Sequence, residues 1–191
     1  RMSGKASGPQ LLSDTISQLA ESPVWDERRQ TLFWCDILGC AIHSFHLESG
    51  TVSQHLFPST VGCLGLCESG RLIVACGMDI LLHDTQTGAQ HVLASIPAAE
   101  GPPMRLNDGR VGPDGAFWVG SMHNVPLAEM ETHGALWRVT LSGVELVESG
   151  LTCPNGLAFS ADGSVMSHSD SVRKWVRRRP FDPHSGRPGD G

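Results

Sequence analysis

One local grammar recurs along the chain, and it restricts the fold more than any other feature. Its fullest copy is Arg105-Leu-Asn-Asp-Gly-Arg-Val-Gly-Pro-Asp-Gly-Ala-Phe-Trp-Val-Gly-Ser-Met122. Polar residues head a short strand, a Pro-Asp-Gly turn follows, and an aromatic strand returns. A second copy is Glu21-Ser-Pro-Val-Trp-Asp26 leading to Leu32-Phe-Trp34, and a third is Asn155-Gly-Leu-Ala-Phe-Ser-Ala-Asp-Gly163 leading to Val165-Met166. Such repetition is how a radial fold aims several side chains at one point.

Around these copies the chain reads as short strands. Thr31–Ile37, Ala41–Leu47 and Thr51–Phe57 alternate with turns such as Glu48-Ser-Gly50, as in an antiparallel meander. Arg71–Cys76, Ile80–Asp84 and Gln90–Ala94 restart the pattern. A third unit runs from Asn107 through Gly134–Thr140, with an inserted loop expected around Asn124–His133. A fourth runs from Asn155 through Ser171–Val176 to Asp182–Gly186. The turn glycines Gly50, Gly88, Gly143 and Gly186 lie 38, 55 and 43 residues apart. A period of about 40 residues with four strands each marks a β-propeller, and whole repeated motifs favour it over a β-sandwich. The chain is therefore expected to be all-β: a lead-in over residues 1–18, short and either irregular or helical from residue 9, then a partial propeller over residues 19–191. Four units are few for a closed ring, so C-terminal blades are expected to be missing. Arg1 before Met2 points to a fragment or an expression scar.

Composition excludes several classes. With 14 Lys and Arg against 20 Asp and Glu the net charge is −6, so bulk attraction to nucleic acid is not expected. Arg177-Arg-Arg179 is a single short run and reads as a solvated strand end. No apolar run spans a bilayer, and the first nine residues lack the apolar core of a secretory signal. The six cysteines form no C-x-x-C pair and read as small buried hydrophobes in a reduced, cytoplasmic protein. Cys63 and Cys67 should share one face, whereas His43 and His46 should fall on opposite faces. No nucleophile elbow, P-loop or dinucleotide fingerprint is present.

The candidate site follows from the repeat. Glu21 stands 11 residues before Leu32, Asn107 10 before Phe117 and Asn155 10 before Val165. Equal offsets in successive blades would bring a carboxylate and two amide oxygens to the ring axis, a donor set suited to Ca²⁺ or Mg²⁺ and able to hold Mn²⁺ or Zn²⁺. The second unit offers only Val61-Gly-Cys63 there. Each residue also has a plain reading. Glu21 is then a solvated loop acid, and Asn107-Asp-Gly109 and Asn155-Gly156 are ordinary turns. Arg105 is either a donor to substrate oxygen or the salt-bridge partner of Asp108.

At these residues the chain resembles the gluconolactonase, regucalcin and senescence-marker-protein family of six-bladed propellers. The matching stretches are Ala20–Asp26 with Leu32–Ile37, Arg105–Gly109 with Trp118–Met122, and Pro154–Gly163 with Ser169–Ser171. The resemblance implies one divalent metal in the central tunnel, with Glu21 and Asn155 among its ligands. It implies that Arg105 and Asn107 contact a sugar lactone, with Asp108 near the site as this chain's candidate catalytic residue. It also implies a further Asp, ligand and general base, from a later blade; Asp190 resembles an outer turn and is not assigned that role. Met166-Ser-His168 stands where family members place an aromatic or aliphatic pair, which is expected to weaken that strand.

The function so implied is metal-dependent opening of sugar lactones, impaired in this length of chain. The rival readings are a non-enzymatic calcium- or partner-binding propeller fragment that self-associates through open blade edges, and a phosphotriesterase-like hydrolase on a similar scaffold.

Overall fold

The computed structural model describes residues 8–98 and 101–190. The opening residues 1–7 of the expected lead-in, and Gly191, lie outside the described residues. From residue 8 to residue 17 the lead-in has no helix or strand.

Among the described residues sixteen strands make four antiparallel sheets, each a meander of four sequential strands, in a β-propeller arrangement. Blade 1 holds β1 (Ala20–Asp26), β2 (Thr31–Asp36), β3 (Ala41–His46) and β4 (Val52–Leu56). Blade 2 holds β5 (Val61–Leu66), β6 (Leu72–Cys76), β7 (Asp79–His83) and β8 (Gln90–Ser95). Blade 3 holds β9 (Met104–Val111), β10 (Phe117–His123), β11 (Gly134–Thr140) and β12 (Gly143–Leu151). Blade 4 holds β13 (Pro154–Phe159), β14 (Val165–Asp170), β15 (Trp175–Asp182) and the two-residue β16 (Arg187–Pro188). The inserted loop is irregular apart from one 3-10 turn at Leu127–Glu129. Ser171 to Lys174 form a turn, with Lys174 at φ 57°, so the third strand of blade 4 starts only at Trp175.

The core lies in three wedges between successive blades. Alternation along each strand assigns its residues to one wedge or the next. Phe33, Cys35 and Ile42 of blade 1 meet Val61, Leu64, Leu72 and Val74 of blade 2. The other faces of the same blade-2 strands send Cys63, Ile73, Ala75 and Ile80 against Leu106, Phe117 and Val119 of blade 3. Trp118, Leu136 and Leu151 then meet Leu157, Met166 and Phe181 of blade 4. Cys67 joins the second wedge with Cys63, as their shared face requires.

This layering explains the strand sequences. β6 is Leu-Ile-Val-Ala-Cys and is buried throughout, because a neighbouring blade covers each of its faces. β14 is Val-Met-Ser-His-Ser-Asp, and only Met166, His168 and Asp170 are buried. The polar β14, expected to be weak, is nevertheless formed. It pairs from Val165 to Asp170 with β15 and meets β13 at both ends.

Three histidines are buried with both ring nitrogens lacking a hydrogen-bond partner among the described residues: His43, His83 and His168. His83, at the end of β7, packs edge-on against His55 of the outermost strand of blade 1 at 4.8 Å and against Phe57 at 5.1 Å. Burial, reinforced by His55 and only partly offset by Asp84, lowers the His83 pKa to about 4. Burial also lowers His55 and His168. A depressed histidine stabilises the fold in its neutral form. That stability is complete above the unfolded value near 6.5 and is lost as pH falls from there through about 4. The carboxyls of Asp36, Asp84, Asp162 and Asp182 are lowered, so their stabilisation is lost only below the ordinary carboxylate range. Denaturant titrations are expected to show stability falling by about 2–3 kcal/mol between pH 6.5 and 4 on account of His83, with a shallower fall in His83→Phe. A flat profile over that window would contradict this.

Candidate active site on the propeller axis

Every innermost strand is interrupted at the same place by an irregularity in its ladder. The breaks fall between Glu21 and Val24 in β1, Val61 and Cys63 in β5, Leu106 and Gly109 in β9, and Asn155 and Ala158 in β13. A bulge bends its strand and re-aims side chains. Ser22 adopts φ 52° and Gly156 φ 60° within two of them, and Pro23 is tolerated there because no ladder bond is needed.

The breaks refine the expected register. Glu21 is the last paired residue before its break, opposite Cys35, and Asn155 is the last before its own, opposite Ser169. The matching position in β9 belongs to Leu106, opposite Ser121, so Asn107 lies inside the bulge with Asp108. Glu21, Asn107 and Asn155 therefore do not occupy one register, because the sequence offsets counted through bulges that a period-two reading does not see. Blade 2 has the apolar Val61 at the matching position. A Cβ on Gly62 would stand 2.5 Å from Leu106 O and 2.6 Å from Asn107 O, so the bare backbone is what lets β5 approach β9.

The bulge residues tie β9 to β13. Arg105 is buried and donates from Nη1 to Asn107 Oδ1 at 2.7 Å and to Leu106 O at 3.1 Å. Asn107 Nδ2 donates to Pro154 O at 2.9 Å. Asp108 Oδ2 accepts the Leu157 amide at 2.9 Å. Thus Arg105 is not the salt-bridge partner of Asp108. Its Nη2 and Nε have no hydrogen-bond partner among the described residues and remain for a ligand. Asn155 is half-buried; its Nδ2 reaches Ser171 Oγ at 3.2 Å and its Oδ1 accepts the Gly156 amide at 2.9 Å.

Electrostatics place Glu21 in the same neighbourhood. Burial lowers the Arg105 guanidinium from its ordinary value, while Cys153 and Glu21 act in the opposite direction. Burial pushes the Cys35 thiol well up, and the Asp108 and Glu21 carboxylates push it further. Cys63 is raised by burial and then by Asp108. These buried thiols are protonated packing groups, not nucleophiles.

Two carboxylates that sequence reading left unassigned anchor the blade entrances. Asp36 accepts the amides of Gln18, Leu19 and Gly39, and Asp170 accepts those of Thr152, Cys153, Val172 and Arg173. Burial would raise the Asp36 carboxyl, but the amides of Leu19, Gln18 and Gly39, with His43, hold it lower. Their signal was an Asp closing the second strand of blades 1 and 4 alike. Asp190 follows β16, the outermost strand of blade 4, three strands and about 14 Å from β13.

As a metal centre the axis is sparse. Glu21 and Asn155 supply hard oxygens of the right kind for Ca²⁺ or Mg²⁺, though Asn155 Oδ1 already takes an amide. Among the described residues no group of three or more His, Cys, Asp or Glu is disposed to hold an ion.

The architecture defines a β-propeller with a polar site at its inner strands. Residues 19–190 match the family model described as "SMP-30/Gluconolactonase/LRE-like region", and the chain belongs to that family. It is 38% identical over 174 residues to the 6-deoxy-6-sulfogluconolactonase of Pseudomonas putida, covering 91% of this chain and 58% of that protein. It is 28% identical over 167 residues to the L-arabinolactonase of Azospirillum brasilense, covering 85% and 54%. Among solved structures, a calcium-binding protein, regucalcin, of Agrobacterium tumefaciens strain C58 superposes with a TM-score of 0.85 at 30% identity, covering 94% of this chain and 60% of that one. The chain thus spans somewhat under two thirds of the length of these relatives. The family includes proteins named for lactone hydrolysis. No helix among the described residues is long and apolar enough to cross a membrane.

Proposed function

We propose that this chain carries part of the active site of a metal-dependent sugar-lactone hydrolase. The observation that carries the reading is the buried Arg105, oriented by Asn107 and leaving Nη2 and Nε without a hydrogen-bond partner among the described residues, with Glu21 near enough to favour its charge. Arg105 would donate to the lactone's oxygens. Asn107, engaged at Oδ1 by Arg105 and at Nδ2 by Pro154 O, would hold that guanidinium in place and offer substrate its second Nδ2 hydrogen and the remaining Oδ1 lone pair. Asp108 would keep Oδ1 for a proton taken from water, since Oδ2 is engaged by Leu157. Glu21 and Asn155 would be this chain's ligands to one divalent ion, Ca²⁺, Zn²⁺, Mn²⁺ or Mg²⁺. When bound, such an ion polarises a carbonyl and acidifies a bound water. The lactonase-named relatives support a small sugar lactone as substrate. The six free cysteines support a reducing, cytoplasmic setting.

With two protein oxygens the affinity is expected in the weak range, Kd about 10⁻⁴–10⁻³ M. Calorimetric titration with Ca²⁺ and Zn²⁺ should lose its axial component in both Glu21→Gln and Asn155→Ala. Gluconolactone turnover should rise with metal, stay well below that of a full-length relative, and fall at least tenfold in Arg105→Met. Unchanged metal binding in both ligand variants, or unchanged turnover in the Arg105 variant, would overturn the reading. A second reading, a non-catalytic calcium-binding propeller that self-associates, is supported by Val176 of β15 in blade 4, a large apolar side chain that is 78% exposed. Concentration-dependent sedimentation without lactone turnover would select it.

A further inference from the structure

The lactone reading leaves one pair of imidazoles unused. His123 closes β10, and His133 ends the irregular segment that returns to β11. Their rings meet edge-on, with centroids 5.2 Å apart and planes at 81°. Two imidazoles sharing a tetrahedral ion at about 2.0–2.1 Å per nitrogen stand with ring centres roughly 5 Å apart. Glu131 Oε2 lies 2.8 Å from His133 Nε2. A carboxylate on one ring nitrogen fixes the ring and leaves the other nitrogen as a lone-pair donor, the usual support of a metal-bound histidine. His123 Nδ1 is buried without a hydrogen-bond partner among the described residues, an unmet polar atom that calls for a ligand. Plain edge-on packing of two neutral rings accounts for the contact but not for that nitrogen.

We propose that His123 and His133 form a two-imidazole site for a borderline divalent ion such as Zn²⁺, Ni²⁺ or Cu²⁺, with Glu131 orienting His133. Nitrogen donors select these ions over Ca²⁺ and Mg²⁺, so the site is chemically separate from the axial oxygens. Two protein ligands leave the remaining positions to water. The ion would clasp the segment 124–133 to the end of β10. His123 pairs there with Met104, next to the Met122–Arg105 pair. The proposal does not depend on the lactone reading.

The test uses the whole chain, stripped by chelator and loaded with one equivalent of Cu²⁺ or Zn²⁺. Two-nitrogen ligation is expected in the electron paramagnetic resonance spectrum of the Cu²⁺ form, falling to one nitrogen in His123→Ala and in His133→Ala. Zn²⁺ affinity should drop at least tenfold in each of those variants and about tenfold in Glu131→Gln. A large excess of Ca²⁺ should leave the Zn²⁺ bound. On the unaltered chain, substoichiometric Ni²⁺ should broaden the His123 and His133 ring resonances before any other histidine. Wild-type affinity in either histidine variant, displacement by Ca²⁺, or first broadening elsewhere would overturn the site.

Discussion

Replacing Asp170 with alanine is expected to destabilise the protein by about 3–5 kcal/mol, the largest effect of any single polar substitution. The carboxylate is fully buried and accepts four backbone amides, from Thr152 at 2.7 Å, Cys153 at 3.3 Å, Val172 at 3.2 Å and Arg173 at 3.1 Å. Alanine leaves these amides without an acceptor. Those of Thr152 and Cys153 are in buried residues where water cannot substitute. For a chain of this size the loss corresponds to a fall in Tm of roughly 10 °C. Asp170→Asn keeps one acceptor oxygen and should lie between wild type and alanine. A thermal melt of Asp170→Ala within about 2 °C of wild type would show that the four amides find other partners. Because Cys153 and Pro154 lead directly into Asn155, the same variant should weaken metal binding if the axial site is as proposed.

The second large effect is expected at Trp118. Its ring is fully buried between blades 3 and 4, edge-on to Phe181 at 5.6 Å and to Phe159 at 6.1 Å, and its Nε1 donates to Asp114 Oδ1 at 3.1 Å. Trp118→Ala removes the centre of this wedge and should cost about 3–5 kcal/mol through lost burial and the cavity left behind. Trp118→Phe keeps most of the packing and forgoes only the hydrogen bond, so it should cost far less. Asp114 retains Arg138 as a partner at 2.8 Å. Blade 4 is covered by a neighbour on one face only, so the alanine variant should release it before the rest. Trp175, in blade 4, should then report unfolding at lower urea than the global signal. A single coincident transition near the wild-type midpoint would contradict this.

Much of the fold was legible because the propeller writes itself into turns. Gly50, Gly88 and Gly186 adopt φ values of 66°, 75° and 63°, and their spacing marks the outer turns blade by blade. The places of Glu21, Arg105, Asn107 and Asn155 on inner strands were legible because the same polar-head, turn and apolar-strand order repeats in blades 1, 3 and 4. The register among them was not. A bulge adds residues to one strand without changing its composition, so counting from Asn107 to Phe117 cannot reveal that Leu106 holds the ladder position. Nor did the sequence show that Asp36 and Asp170 serve backbone amides, since an isolated carboxylate reads the same whether it meets an ion or a main chain. The His123–His133 contact joins a strand end to a loop of no fixed geometry, which no periodicity encodes.

The wedge arrangement also bears on how freely each strand can vary. With a neighbouring sheet against both of its sides, β6 has no position at which a polar replacement escapes burial, from Leu72 to Cys76. In β14 every second residue, Val165, Ser167 and Ser169, is only half-buried, and Ser169 Oγ donates to Asn155 O at 2.9 Å. Evolutionary change in chains of this architecture should therefore be slow and volume-conserving in strands with a sheet against both sides.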